Sequence, residues 1–156
     1  MGKIHQYHPY FVKPKNNVKL FTGSLVENDK QYRIIKEFWK VTDDTELLLS
    51  EPIDIDAEYR CFVHKGELKG IRYYAGDFKQ FPKVDVIEKM IKDYENPYVS
   101  YTLDVGIVLS DLKFPMTTLI EVNDMWAIGS YGFDAKTYVR MVIDRFIEIK
   151  NTAIRI

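Results

Sequence analysis

Three oxygen-bearing side chains fall in two short runs, Leu103-Asp104-Val105-Gly106 and Ile120-Glu121-Val122-Asn123. Side chains alternate faces along a strand, so Glu121 and Asn123 project to one side, about 7 Å apart. Asp104 points away from the apolar face of its own strand, and a hairpin joining the two runs would set all three groups on one surface. Two carboxylates about 4 Å apart repel by roughly 4 kcal/mol at an effective dielectric constant of about 20. A magnesium ion offsets that repulsion, because it takes carboxylate and amide oxygens and keeps places for water and substrate phosphates. Gly106 would let a bulky ligand approach the backbone closely. Taken alone, the Glu121-x-Asn123 pair reads more readily as a solvated strand face than as a metal site. An unpaired Asp inside an apolar strand is harder to dismiss, since burying it is costly.

A second group lies near the N-terminus. Lys13, in Phe11-Val12-Lys13-Pro14, ends a strand and is followed by Lys19-Leu20-Phe21-Thr22-Gly23. A lysine beside a glycine-containing loop can hold polyphosphate through its charge and the loop amides; surface lysines around a turn are the plainer alternative. The spacing does not match a Walker A loop, which disfavours a P-loop fold. In Glu58-Tyr59-Arg60, Arg60 offers a planar fork of donors suited to a phosphate or carboxylate, or else a surface pair with Glu58 of little energetic value. His5 and His8 read as tail residues and His64 as a partly buried hairpin residue. Cys61 faces opposite to Arg60 and reads as core, with no basic neighbour to activate it.

The elements that must position these groups follow from periodicity. Tyr10 to Lys13 is a strand stopped by Pro14, and Gly23 to Val26 returns as a second. Tyr32, Ile35, Phe38 and Trp39 fall at helical spacing behind Asn28 or Asp29 as N-cap, and Phe38 and Trp39 read as core. Leu47-Leu48-Leu49 is a short buried strand. Residues 58–64 and 68–74 form a hairpin through Lys65-Gly66-Glu67. Val84, Ile87, Met90, Ile91 and Tyr94 make one helical stripe. Residues 98–110 form a long strand with its odd-numbered side chains apolar, and Thr117 to Asn123 another. Asp134 caps a last helix whose expected buried face is Tyr138, Val139, Val142, Ile143, Phe146 and Ile147. Helices interspersed with hairpin strands imply an α+β fold with a mostly antiparallel sheet.

The whole chain bounds the reading. Its 156 residues suit one domain, or one domain with a small lobe. Twenty-two basic residues against 23 acidic ones argue against a general nucleic-acid binder. Apolar runs fall well short of the roughly 18 residues a membrane span requires, the N-terminus has no secretion-signal pattern, and a single cysteine permits no internal disulfide. These features fit a cytoplasmic protein that meets neither nucleic acid nor membrane.

In this order the segments resemble the ATP-grasp superfamily of carboxylate–amine and carboxylate–thiol ligases, most like its short, divergent bacterial and phage domains, from about Tyr10 to Lys150. The resemblance implies a single ATP-grasp-like domain over residues 1–156, with a small lobe over about 10–50 and a larger one over 54–150. It implies that Lys13, Lys19, Thr22 and Gly23 meet the nucleotide's phosphates, that Glu51, Pro52 and Ile53 meet adenine at an interlobe hinge, and that Glu58 binds the ribose. Asp104, Glu121 and Asn123 would hold magnesium, while Arg60 and Lys19 neutralise charge developing on the transferred group. The implied activity is an ATP- and Mg2+-dependent ligation of a small-molecule or peptide carboxylate to an amine or thiol through an acylphosphate. Alternatives are a nucleotide-binding module without catalysis and a protein-interaction subunit. Only nine residues precede the Lys-Pro strand, where the family carries a further N-terminal domain; a partner chain or a second copy would complete such a site. Replacing Asp104 by Asn or Glu121 by Gln is expected to abolish turnover with the fold intact.

Overall fold

A computed structural model describes residues 9–16, 20–95, 97–109 and 114–153. Its elements run β1 (Tyr10–Pro14), β2 (Ser24–Val26), α1 (Asp29–Phe38), β3 (Leu47–Ser50), β4 (Ile55–His64), β5 (Glu67–Gly76), α2 (Val84–Asp93), β6 (Ser100–Leu109), β7 (Pro115–Asp124) and α3 (Ala135–Ala153). The strands make two antiparallel sheets, and the chain divides into two compact units, Met1–Ile53 and Asp54–Ile156. The fold is α+β.

In the first unit β1 is the central strand, in the order β2-β1-β3. Its alternate residues Tyr10 and Val12 join Phe21, Val26, Ile35 and Val41 in a small core. Asn28 caps α1 by accepting the Gln31 amide at 3.1 Å, which satisfies one of the helix's orphan donors. Two expectations are corrected here. Ile35 is the buried residue of α1, while Phe38 is 73% exposed and Trp39 40%. Leu48 and Leu49 of β3 are likewise exposed. A three-stranded sheet with one short helix has too little apolar mass to cover them.

The second unit holds a four-stranded sheet in the order β5-β4-β6-β7. Lys65 and Gly66 turn the β4–β5 hairpin with φ of 52° and 75°, the left-handed pair a two-residue turn requires. The odd-numbered residues Ala57, Tyr59, Cys61, Val63, Tyr101, Leu103, Val105 and Ile107 pack with Ile87 and Ile91 of α2, each such isoleucine contributing roughly 1.5–3 kcal/mol. On the opposite face Phe62 packs with Met125, Phe133 and Met141 of α3, its ring stacked on Phe133 at 4.3 Å. With apolar groups on both faces, β6 is buried from Ser100 to Ile107, so a carboxylate on it is costly unless it is paired.

Asp134 caps α3 as expected, accepting the Thr137 amide at 2.8 Å. The buried side of that helix differs in part: Tyr138 and Val142 pack against the Phe62 cluster as expected. Met141 and Arg145 face inward, while Val139, Ile143, Phe146 and Ile147 are 47–53% exposed. Arg145 occupies a core position because its charge is compensated there, which an apolar pattern does not reveal. Among the described residues, no helix is long and apolar enough to cross a membrane.

Candidate functional site

The site is built on the even-numbered face of β4 and β6, beyond the part covered by Phe62. Register sets Arg60 opposite Asp104, Asp104 opposite Glu121, and Thr102 opposite Asn123. Cross-strand partners share a face, so the register brings positions 104, 121 and 123 to one surface. Two irregularities flank them. Asp104 pairs with Glu121 but Val105 with Leu119, leaving Ile120 as an extra residue beside Glu121. Glu58 pairs with Ala75 but Tyr59 with Tyr73, leaving Tyr74 extra beside Arg60. Such bulges re-aim side chains next to binding sites.

Arg60 and Asp104 are each only 5% exposed and form a bidentate pair, Nε to Oδ1 at 2.8 Å and Nη2 to Oδ2 at 2.6 Å. This hydrogen bonding, more than burial opposes it, raises the guanidinium's pKa. Asn123 Nδ2 donates to Asp104 Oδ2 at 3.1 Å; the amide oxygen is the end of Asn123 suited to a cation. Glu121 is exposed and Glu58 half-buried. Burial first, and then the charge of Asp104, push the Glu58 carboxyl above its usual range. Tyr74 and Tyr131 lie against the Arg60 guanidinium, with ring centroids at 5.3 and 4.9 Å, and meet each other edge-to-face at 5.0 Å. Tyr131 has φ of 47°, an uncommon conformation for a bulky residue.

Among the described residues, no three His, Cys, Asp or Glu side chains converge as a metal cage. The donors here are two carboxylates and an amide oxygen. That set fits a magnesium ion held by one or two carboxylates and completed by nucleotide phosphates, rather than an all-protein site.

Several expectations change. Gly106 does not clear space for a ligand: a Cβ there would meet Ile55 Cγ2 at 2.9 Å and Ile120 Cδ1 at 3.0 Å, so its bareness serves packing. The Arg60 fork, expected to face phosphate or Glu58, is taken by Asp104. Asp104 therefore carries a structural ion pair, and its replacement cannot leave the fold untouched. His64 is buried and hydrogen-bonded to Asp144 at 3.0 Å. Cys61 is core as expected, its thiol pushed up to about 12 by burial and the Asp104 charge.

The remaining candidates lie in the first unit. Lys13 is a half-buried residue of β1, paired with Leu48. Thr22 is exposed, and its carbonyl accepts the Ser24 hydroxyl at 2.9 Å. A Cβ on Gly23 would strike the Phe11 ring at 2.4 Å. Glu51, Pro52 and Ile53 are exposed residues just after β3. Lys19, His5 and His8 lie outside the described residues.

Tyr74, Tyr131, Asp124 and Arg145 are not legible in the sequence as site neighbours. The Tyr74 bulge and the positive φ of Tyr131 leave no mark in hydrophobic periodicity. A surface cleft of about 440 Å3 runs elsewhere, along α3, lined by Lys65, Arg140 and Asp144 among others. Asp144 is already held by His64, Lys65 and Arg140, so the cleft is a charge-balanced recess remote in character from the oxygen-rich surface.

A family model for an ATP-grasp domain, the second family of its clade, matches residues 1–141. The chain belongs to the ATP-grasp family. This ATP-grasp domain is similar to the D-alanine–D-alanine ligase of Bacillus anthracis solved with ATP, at a TM-score of 0.56 and 15% identity, over 92% of this chain and 52% of that one. A second structure of the same enzyme gives 0.55 and 14%, over 93% and 56%. N5-carboxyaminoimidazole synthetase from Staphylococcus aureus gives 0.50 and 14%, over 92% and 42%. The ATP-grasp domain thus spans about half the length of these ligases, and at these identities the likeness is one of fold. No curated protein matches it.

Proposed function

We propose that this ATP-grasp domain binds ATP with Mg2+ and activates a carboxylate for ligation to an amine or thiol. The observation that carries the reading is the convergence of Asp104, Asn123 and Glu121 by register on one face of β6 and β7, in a chain of this family. In the proposed reaction a substrate carboxylate oxygen attacks the γ-phosphorus of ATP, and the bond to the β–γ bridging oxygen breaks, releasing ADP. The amine or thiol then attacks the acylphosphate carbon. Phosphate departs, and the nucleophile's proton goes to solvent.

Magnesium would neutralise charge on the β- and γ-phosphates, held by Asp104, Glu121 and the Asn123 amide oxygen. Lys13 and Lys19 supply positive charge to the phosphates, with the Thr22-Gly23 amides as donors. Glu51, Pro52 and Ile53 offer the adenine its backbone, and Glu58 accepts from ribose hydroxyls. Arg60 acts mainly by holding Asp104 in its orientation through the bidentate pair; its N–H groups not engaged by Asp104 remain for phosphoryl oxygen. The carboxylates serve as metal ligands, with positioning and electrostatics supplying the rate.

The test is ADP release from Mg-ATP with mixtures of carboxylates and amines, for the native chain and Glu121→Gln. Release that depends on both substrates and is lost in the variant supports ligation. The capture of Asp104 by Arg60 favours a second reading, a nucleotide-binding module without turnover. That module would bind Mg-ATP and release no ADP with any mixture. A cytoplasmic setting and small-molecule or peptide substrates accompany the proposal.

A further inference from the structure

We infer that Arg145 of α3 is a positioning residue for the metal-binding end of β7, acting on Asn123 through Asp124; the inference rests on the Mg-ATP reading above. Arg145 is only 8% exposed, and a buried guanidinium needs full compensation. It donates from Nε and Nη2 to the two carboxylate oxygens of Asp124, at 2.7 and 2.6 Å, and from Nη1 to Glu148 at 2.9 Å. Its guanidinium lies 3.8 Å from the centroid of the Tyr98 ring. Glu148 in turn accepts the Val99 amide, the shorter bond being 3.0 Å. One side chain therefore fastens α3 to the entry of β6 and the exit of β7.

Asp124 is the residue after Asn123 and the last of β7. Besides receiving the Arg145 fork, its Oδ1 accepts the Trp126 amide at 3.1 Å. Both sides of the Asn123–Asp124 peptide are thereby held: Asn123 by its bond to Asp104, and Asp124 by Arg145 and the start of the following loop. The Asn123 amide has one torsional freedom that matters, which end faces a cation. Its orientation depends on a fixed backbone at the strand's terminus, where ladder pairing runs out. Partners of this outer kind typically tune metal affinity by about 10–100-fold.

The experiment is a Mg2+ titration of ATP-induced thermal stabilisation, on the native chain, Arg145→Met, Arg145→Lys and Asp124→Asn. The expected result for Arg145→Met is a rise of about 10–100-fold in the Mg2+ concentration at half effect, with the stabilisation at saturating Mg2+ retained. Arg145→Lys, keeping the charge but losing the fork, should fall between it and the native chain. Asp124→Asn keeps the shape and reads the same effect if Arg145→Met fails to fold. A folded variant that melts lower but keeps the native Mg2+ midpoint overturns the inference and leaves the Mg-ATP reading standing. Absence of any Mg-ATP stabilisation in the native chain overturns that reading itself.

Discussion

Arg60 and Asp104, 44 residues apart in sequence, share two hydrogen bonds of 2.8 and 2.6 Å across adjacent strands with both side chains buried. The pair makes Asp104 at once a candidate metal ligand and a structural counter-ion. Mutating it therefore tests two things, and the other members of the site must separate them.

Removing either partner leaves an uncompensated buried charge, expected to cost about 3–5 kcal/mol. Arg60→Met and Asp104→Leu should each show that loss in denaturant unfolding, and the double variant should lose less than the sum of the two. Additive losses would show that the pair is not coupled.

Glu121 is the cleaner probe. It is exposed, so Glu121→Gln should change unfolding free energy by no more than about 0.5 kcal/mol. It should nonetheless remove the Mg2+-dependent part of ATP binding, measured calorimetrically with and without EDTA. Unchanged Mg2+ dependence would remove Glu121 from the site.

Glu58 gives a pH signature. Burial and Asp104 raise its folded pKa, so the folded state binds its proton more tightly than the unfolded chain does. Its effect on stability is then nil below the unfolded value near about 4.3 and turns unfavourable as pH rises through the folded pKa. Glu58→Gln should melt above the native chain at pH 7, the two converging towards pH 4. A variant that melts lower at pH 7 would contradict the sign.

Cys61 should be inert in the folded protein. With its thiol pushed up to about 12 and no exposed surface, almost no thiolate exists at pH 8 to attack a disulfide reagent. Labelling should occur only at the rate of unfolding; rapid stoichiometric labelling in buffer would show that β4 opens.

The local part of this site is legible in the sequence. Alternation over residues 101–107 places Asp104 on the face opposite the apolar one, and the Glu121-x-Asn123 spacing gives a shared face on β7. The β4–β6 register, which sets Arg60 against Asp104, depends on pairing between distant segments that no local pattern encodes. The inward face of α3 departs from its apolar stripe for a related reason: Arg145 is buried only because Asp124 and Glu148 wait for it on the strand end and the next helical turn. The exposed Phe38 and Trp39 show the converse, a helical apolar spacing with too little sheet to cover it.

Thermal unfolding of the native chain in buffer, in ATP with EDTA and in Mg-ATP, alongside Glu121→Gln, tests the metal–nucleotide site most directly. At a ligand concentration about 100 times its dissociation constant, Mg-ATP should add about 2.7 kcal/mol to the native chain. Withholding the cation or replacing Glu121 should abolish the gain. Identical melting of the native chain under all three conditions would contradict the assignment of Asp104, Glu121 and Asn123 to a magnesium–ATP site.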